Sequence, residues 1–266
     1  MSDVIITRRD GAVFEVILNR PDMRNAMNDE MLDALSSAFD QAEIEFADGA
    51  RVVVIRAKGR VFSSGIDLTQ FAAMEMETGG DWRQNLFPLT AKYQAVFNKI
   101  ENSSLPVLCV MHGYCLGMAF EMALACDFRI AVERTKLGLP ESRLGIIPDV
   151  GGTVRLVKLV GPSRAKDIIM TGRNFDLTLA QEWGIVNYVY SKDDVDAKVA
   201  EFVAELCASS PLAVSYTKRV INDIMENSRG LQIEAWAQAQ LFRTEDFMNA
   251  VSAMLDKSYP VDWQGK

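Results

Sequence analysis

The sequence predicts an α/β protein built of stacked βαβ-type units and closed by a helical C-terminal region. Three observations carry this. Short β-branched runs such as "VVVIRAKG" and "PVLCVMHG" end at glycine, amphipathic helical stretches stand between such runs, and beyond about residue 190 only helical patterns remain. A chain of 266 residues, 49% hydrophobic and 24% charged, can bury a core of that size. The expected division is residues 1–195 as the α/β core and 196–266 as a helical region that covers the core and mediates oligomerisation.

The elements follow in order. "VIITRRDGAVFEVILN" is two strand-like runs around Asp10-Gly11, a hairpin signal. "RPDMRNAMNDEMLDALSSAFDQAEIE" has helical periodicity, with Asn28 or Asp29 as N-cap ahead of Met31, Leu32, Leu35 and Phe39. Val52 to Gly59 and Pro106 to Gly113 are buried strands. The second leads into a helix near Gly117, and "FRIAVE" and "IVNYVY" continue the rhythm. Thr178 to Gln181 forms a capping-box pattern. Ser210-Pro211 is a cap and first-turn pair that opens an amphipathic tail running to Pro260. A tail so apolar on one face must pack on something, either its own core or a neighbouring subunit.

Composition narrows the function. A formal net charge of -8 argues against nucleic acid or an anionic membrane as the main partner. The opening "MSDVIITRRDG" lacks the pattern of a secretory signal and no stretch is long enough to span a bilayer, so a cytoplasmic protein is expected. Cys109, Cys115, Cys126 and Cys207 lie scattered, mostly in apolar runs, and read as reduced thiols. His112 is the single histidine, so a histidine-based metal site is not expected.

Chemistry can sit in three places. In "HGYCLGMAFEMALACD" a strand turns through glycine into a helix, presenting backbone N–H groups to an anion or oxyanion. Glu121 lies one turn in with no basic residue nearby, and burial would raise its pKa into an acid–base range. The competing reading is a buried glutamate hydrogen-bonded to loop backbone. In "GRVFSSGIDL" a tight loop offers N–H donors to a carbonyl oxygen or phosphate, or it is a plain turn in which Asp67 caps the next helix. In "LGLPESRLGIIPDVGGTVRL" two carboxylates, Glu141 and Asp149, sit beside prolines, and Asp149 is equally read as the cap of a helix beginning near Gly152 or Thr153. Carboxylates and backbone donors, with neither metal nor histidine base, suit proton transfer next to a carbonyl. A serine hydrolase using Ser63 or Ser64 with His112 is the weakest candidate, because no third orienting acid is placed.

Together these stretches resemble the crotonase superfamily, the enoyl-CoA hydratases and isomerases. "LNRPDMRNAM", "FSSGIDL", "HGYCLGMAFEMALACDFRIA" and "LPESRLGIIPDVGGTVRL" match ordered family motifs over most of the chain. The resemblance implies a spiral of stacked ββα units with a C-terminal helical region, assembled as a trimer or dimer of trimers. It implies that the N–H groups of Ile66 and Met118 polarise the thioester oxygen of an acyl-CoA, and that Glu121 and Glu141 are the two catalytic glutamates. The region of Arg24, Ala26, Ser64, Gly65, Ile66, Asp67, Leu68 and Gly117 falls where coenzyme A and the acyl group are held. Coenzyme A enters as part of the substrate, and no separate cofactor is implied. Two departures stand out: Gly117-Met118-Ala119 replaces a common triple glycine, and Asp149 replaces a common glycine. The dienoyl-CoA isomerases of the superfamily also carry an acid at the position of Asp149, and "KYQAVFNKIE" resembles that branch, which usually has Asp where this chain has Glu121. Addition of water to a trans-2-enoyl-CoA is the leading expectation and dienoyl-CoA isomerisation the alternative. A thioester hydrolase or decarboxylase and a non-catalytic acyl-CoA-binding protein stand behind them.

Overall fold

The computed structural model describes residues 4–70, 76, 86–225, 228–258 and 261. Pro260, expected to end the helical tail, lies outside them. β1 (Ile5–Asp10) and β2 (Val13–Leu18) form the expected antiparallel hairpin. β3 (Val52–Ala57), β4 (Val107–Met111), β6 (Phe128–Val132) and β8 (Tyr188–Tyr190) add in parallel, giving one sheet in the order β1-β2-β3-β4-β6-β8. A second sheet pairs β5 (Tyr114–Leu116) with β7 (Lys136–Gly138).

The central strands β3 and β4 read as near-continuous apolar runs because both faces of the sheet are covered there. Val53, Ile55, Val107, Cys109 and Met111 point into the main core, which also takes Met31, Leu32, Leu35 and Phe39 of α1 (Asp29–Ala47) and Phe97 of α2 (Leu86–Glu101). Val52, Val54, Leu108, Val110 and Ile130 point the other way, onto Val195, Val199 and Val203 of α6 (Val195–Cys207). The β-strand alternation thus splits one apolar run between two clusters.

α3 (Met118–Leu124) is buried throughout, and α4 (Gly152–Thr171) is broken at Gly161-Pro162. α5 (Leu177–Glu182) precedes β8. After β8 the described chain is helical: α6, α7 (Pro211–Ile224), α8 (Ser228–Leu241) and α9 (Glu245–Asp256). No helix among the described residues is long and apolar enough to cross a membrane.

Three sequence expectations change. β4 does not lead straight into a helix, because Gly113, at φ +65°, redirects the chain into the three-residue β5 first. That strand is too short to show a period. α5 is capped by Asp176, whose Oδ1 accepts the Leu179 N–H at 2.9 Å, so the box expected at Thr178 to Gln181 lies inside the helix instead. Asp149 does not cap α4, whose N-cap is Gly151, a residue with no side chain to bond the helix. The Asn28 cap of α1, which accepts from Met31 N at 3.1 Å, and the Ser210 cap of α7 are as expected.

Candidate active site

The first loop is built around Asn25. This fully buried residue sits at φ +51°, and its Nδ2 lies 2.8, 3.1 and 3.0 Å from the carbonyls of Lys58, Val61 and Phe62. Its Oδ1 accepts the Arg20 N–H at 2.8 Å. Ser63, also fully buried, donates from Oγ to the Asn25 carbonyl at 2.7 Å and accepts the Gly65 N–H at 3.2 Å. Ser63 is therefore a strut of the loop. His112 Nε2 lies 3.1 Å from the Gly59 carbonyl, and burial lowers the imidazole pKa, so neither partner of the serine hydrolase pair is placed for that chemistry.

Beyond this strut the Met27–Ile66 bridge uses the Gly65 carbonyl, at 2.9 Å from Met27 N, and the Asp67 N–H, at 2.8 Å from Met27 O. The Ile66 N–H faces away from that bridge and has no acceptor among the described residues. At the second loop Gly117 N donates to Gly138 O at 2.9 Å, while Phe120 and Glu121 N–H close on Gly117 O. The N–H of Met118, first residue of α3, is likewise without an acceptor there, as the opening of a helix dictates. Ile66 and Met118 line one cavity together with Glu121, Glu141, Asp149, Leu89, Thr90, Tyr93, Ile146, Gln238 and Phe242.

All three predicted carboxylates therefore meet, and each is held differently. Glu121 Oε2 accepts the N–H groups of Val150 at 2.9 Å and Gly152 at 2.8 Å. Glu121 is thus bonded to loop backbone, as the competing reading has it, and at the same time lines the cavity. Burial pushes its pKa well above the ordinary carboxylate range, the charges of Glu141, Asp149 and Glu234 push it further, and the Gly152 N–H pulls it back. Glu141, on the 3-10 turn Pro140–Leu144, has its buried Oε2 without a hydrogen-bond partner among the described residues. Burial lifts its pKa to about 8. Asp149 Oδ2 accepts from Thr90 Oγ1 at 2.9 Å, and burial lifts its pKa to about 7. Acids packed this closely titrate as a set.

Two glycines allow the packing. A Cβ on Gly117, at φ +54°, would stand 2.9 Å from Glu141 Oε1, and one on Gly152 would stand 2.7 Å from Glu121 Oε2. The residues predicted to hold coenzyme A form the rim of the first loop. Arg24 and Ser64 are exposed and joined by a 3.1 Å bond from Ser64 N to Arg24 O. Ala26 is buried, and its carbonyl accepts from Arg20 Nη1 at 2.5 Å. Asp67 pairs with Arg20 at 3.1 Å and accepts from Thr69 N and Oγ1, so its carboxylate is committed within the protein as a local cap. Leu68 packs against the cluster of Leu86, Ile146, Phe242 and Phe247.

Sequence reasoning missed Asn25, Thr90, Tyr93, Glu234, Gln238 and Phe242. Asn25 stood inside a recognised motif, but its four bonds are to backbone and leave no pattern. The remaining five reach the site from α2, from α8 and from the turn after α8, far along the chain.

A model of the enoyl-CoA hydratase/isomerase family matches residues 8–266. The chain belongs to the enoyl-CoA hydratase/isomerase family. Among relatives, the probable enoyl-CoA hydratase 2, mitochondrial, of Arabidopsis thaliana is 36% identical over 95% of this chain and 82% of its own. The Delta(3,5)-Delta(2,4)-dienoyl-CoA isomerase, mitochondrial, of Dictyostelium discoideum is 28% identical over 94% of this chain and 87% of its own. A crystal structure of an enoyl-CoA hydratase from Mycobacterium avium subsp. paratuberculosis K-10 superposes with a TM-score of 0.85 at 25% identity, covering 98% of this chain and 99% of that one. The fold is therefore the crotonase fold, and the relatives of this hydratase/isomerase family member are named as hydratases and isomerases of enoyl- and dienoyl-CoA.

Proposed function

We propose that the protein adds water across the double bond of a trans-2-enoyl-CoA. The observation that carries this reading is the contrast between two carboxyl groups lining the cavity beside the Ile66 and Met118 N–H groups. Burial raises both carboxyl groups, but Glu121 Oε2 alone accepts two backbone N–H groups, which favour its ionised form and mark it as the base of the pair, whereas Glu141 has a bare buried Oε2 and a pKa near 8, which suits a proton donor at neutral pH. The thioester oxygen accepts from the Ile66 and Met118 N–H groups, which hold the negative charge as it develops on the enolate. Glu121 takes a proton from water as its oxygen bonds to the β-carbon, and Glu141 delivers a proton to the α-carbon. The pantetheine and adenosine parts lie along Arg24, Ala26, Ser64, Gly65, Asp67 and Leu68, chiefly on backbone groups, with Gly117 opening the acyl end.

A panel of trans-2-enoyl-CoA thioesters followed by absorbance and mass spectrometry tests this. Loss of the conjugated chromophore with gain of one water supports it; a conjugated chromophore that persists across chain lengths refutes it.

One observation favours a second reading. Asp149 does not cap α4 but faces the cavity shared by both glutamates, where it and Glu141 could pass protons at opposite ends of a 3,5-dienoyl-CoA. Conversion of that diene without change of mass identifies this reaction. Assembly as a homotrimer or dimer of trimers belongs to the same proposal, supported by an uncovered apolar stripe on α7.

A further inference from the structure

α8 turns a polar stripe toward the site: Glu234 and Gln238 are both buried, alongside Leu231 and Ala235. Glu234 Oε2 accepts the Gly151 N–H at 2.7 Å and its Oε1 accepts the Val154 N–H at 2.6 Å. Gln238 Oε1 accepts the Ile147 N–H at 3.1 Å. From the opposite side Glu121 takes Val150 and Gly152. Gln94 of α2 closes the arrangement, donating to the carbonyls of Asp149 at 2.6 Å and Leu231 at 3.0 Å. The first turn of α4 therefore has its N–H groups dealt out in alternation, 150 and 152 to the Glu121 carboxylate and 151 and 154 to a carboxylate from α8.

We infer that Glu234 is a positioning residue of the acid–base site: by holding Gly151 and Val154 it sets the turn that presents Val150 and Gly152 to Glu121 and Asp149 to the cavity. The kinetic part of this inference rests on the hydratase/isomerase chemistry proposed above. The residue type follows from the geometry. Two N–H donors aimed at two side-chain oxygens need a fork in which both atoms accept, which a carboxyl group supplies, and a glutamine would set its amide N–H₂ against one of them. The placement is costly as well. Burial lifts the Glu234 pKa to about 8, the Val154 and Gly151 N–H groups pull it back, Asp149 opposes its ionisation and Arg155 of α4 favours it. Arg155 itself bonds the Val150 carbonyl at 3.0 Å, Glu101 at 2.8 Å and Asn98 at 2.7 Å. Holding α8 in place would not require a buried carboxylate, since an apolar residue of similar volume does that at no desolvation cost.

The test uses Glu234→Gln and Glu234→Asp in the full chain. The aspartate keeps the carboxyl group but is one methylene too short to reach both donors, so it separates tethering from side-chain chemistry and serves if the glutamine variant does not fold. Two quantities are read. The first is amide hydrogen exchange at Val150 and Gly152, which Glu234 does not touch, relative to Val53 and Val54 in β3; about tenfold faster exchange at the turn alone is expected. The second is turnover of the thioester that the wild type accepts, with kcat expected to fall at least about tenfold while KM changes less than about threefold. Unchanged exchange at Val150 and Gly152, exchange that quickens equally in β3, or an undiminished kcat overturns the inference. If the wild type turns over no enoyl- or dienoyl-CoA, the proposed function fails, and the exchange measurement by itself decides the role of Glu234.

Discussion

A methyl group on Gly152 would stand 2.7 Å from both Cγ and Oε2 of Glu121 and 2.8 Å from Pro148 Cβ. Gly152 is the first residue of α4 and its φ is not positive, so alanine suits the backbone there, and what it disturbs is the Glu121 side chain and the Pro148 ring. Gly152→Ala is expected to fold, with a melting temperature lowered by the shift of Pro148, and to lose about 100-fold in kcat. Full activity in a steady-state assay would mean that Glu121 does not act from its observed position. Glu141 gives a second prediction, in pH. Its carboxyl is raised from 4.5 to about 8, so between those values the folded protein holds a proton that the unfolded chain has released. Stability contributed by this group is therefore full below about pH 4.5 and is lost as pH rises toward 8. Glu141→Gln should flatten the decline of melting temperature between pH 5 and 8 and should abolish turnover, while the wild-type rate should fall above about pH 8 as the donor ionises. A wild-type rate that climbs through pH 9 would exclude Glu141 as the acid. Glu121, Glu141 and Asp149 were legible in the sequence because a carboxylate in an apolar or proline-bound run stands out. The bonds that separate their roles were not, since Glu121 reaches backbone N–H groups 29 and 31 residues ahead and any residue but proline supplies an N–H.

At the scale of the elements, the first loop depends on one side chain. Asn25 ties the β2-side turn to the carbonyls of Lys58, Val61 and Phe62, and its left-handed backbone suits asparagine better than most residues. Asn25→Ala removes one acceptor and the donors of three buried or half-buried carbonyls, at an expected cost of about 2–4 kcal/mol by denaturant unfolding. Because Ile66 lies just beyond this loop, the KM for thioester should rise together with the loss of stability. A variant as stable as the wild type would show that the loop holds itself. The larger elements were readable because their periods run long: the α1 cap and face, the hairpin and the parallel strands agree with the pattern of apolar residues. β5, at three residues, shows no period. The α4 N-terminus misled for a different reason. Asp149 has the type and place of a cap, but Glu121 and Glu234 already occupy the N–H groups it would have taken, and that competition is settled between helices remote in sequence.

For the molecule as a whole, α7 poses the remaining question. Its one buried side chain is a cation: Lys218 Nζ donates to the carbonyls of Leu105 at 3.0 Å and Ile100 at 3.4 Å and pairs with Asp127 at 2.8 Å. Meanwhile Leu212, Tyr216, Val220 and Ile224, spaced four apart along one stripe, are each more than half exposed. Close by, Ile221 and Met225 line a cavity of about 610 Å³ with Leu124, Phe128, Leu159 and Leu206. A helix anchored by its lysine, with its apolar stripe left in water, gains stability when something covers the stripe, each large side chain so covered contributing about 1.5–3 kcal/mol. A second copy of the chain is the partner that the family resemblance implies. Analytical ultracentrifugation at micromolar concentration should therefore give the mass of a trimer or a hexamer. Val220→Glu combined with Ile224→Glu, which places two charges on the stripe and touches no residue of the cavity holding Glu121 and Glu141, should shift the protein to monomer. A wild type that sediments as a monomer, or a double variant that keeps the assembly, would show that α7 is not the contact. If the monomeric variant also loses activity, Glu234 offers the route, since α8, which follows α7 in the chain, would loosen its hold on the first turn of α4. Amide exchange at Gly151 and Val154 should then rise in the monomer together with the loss of kcat.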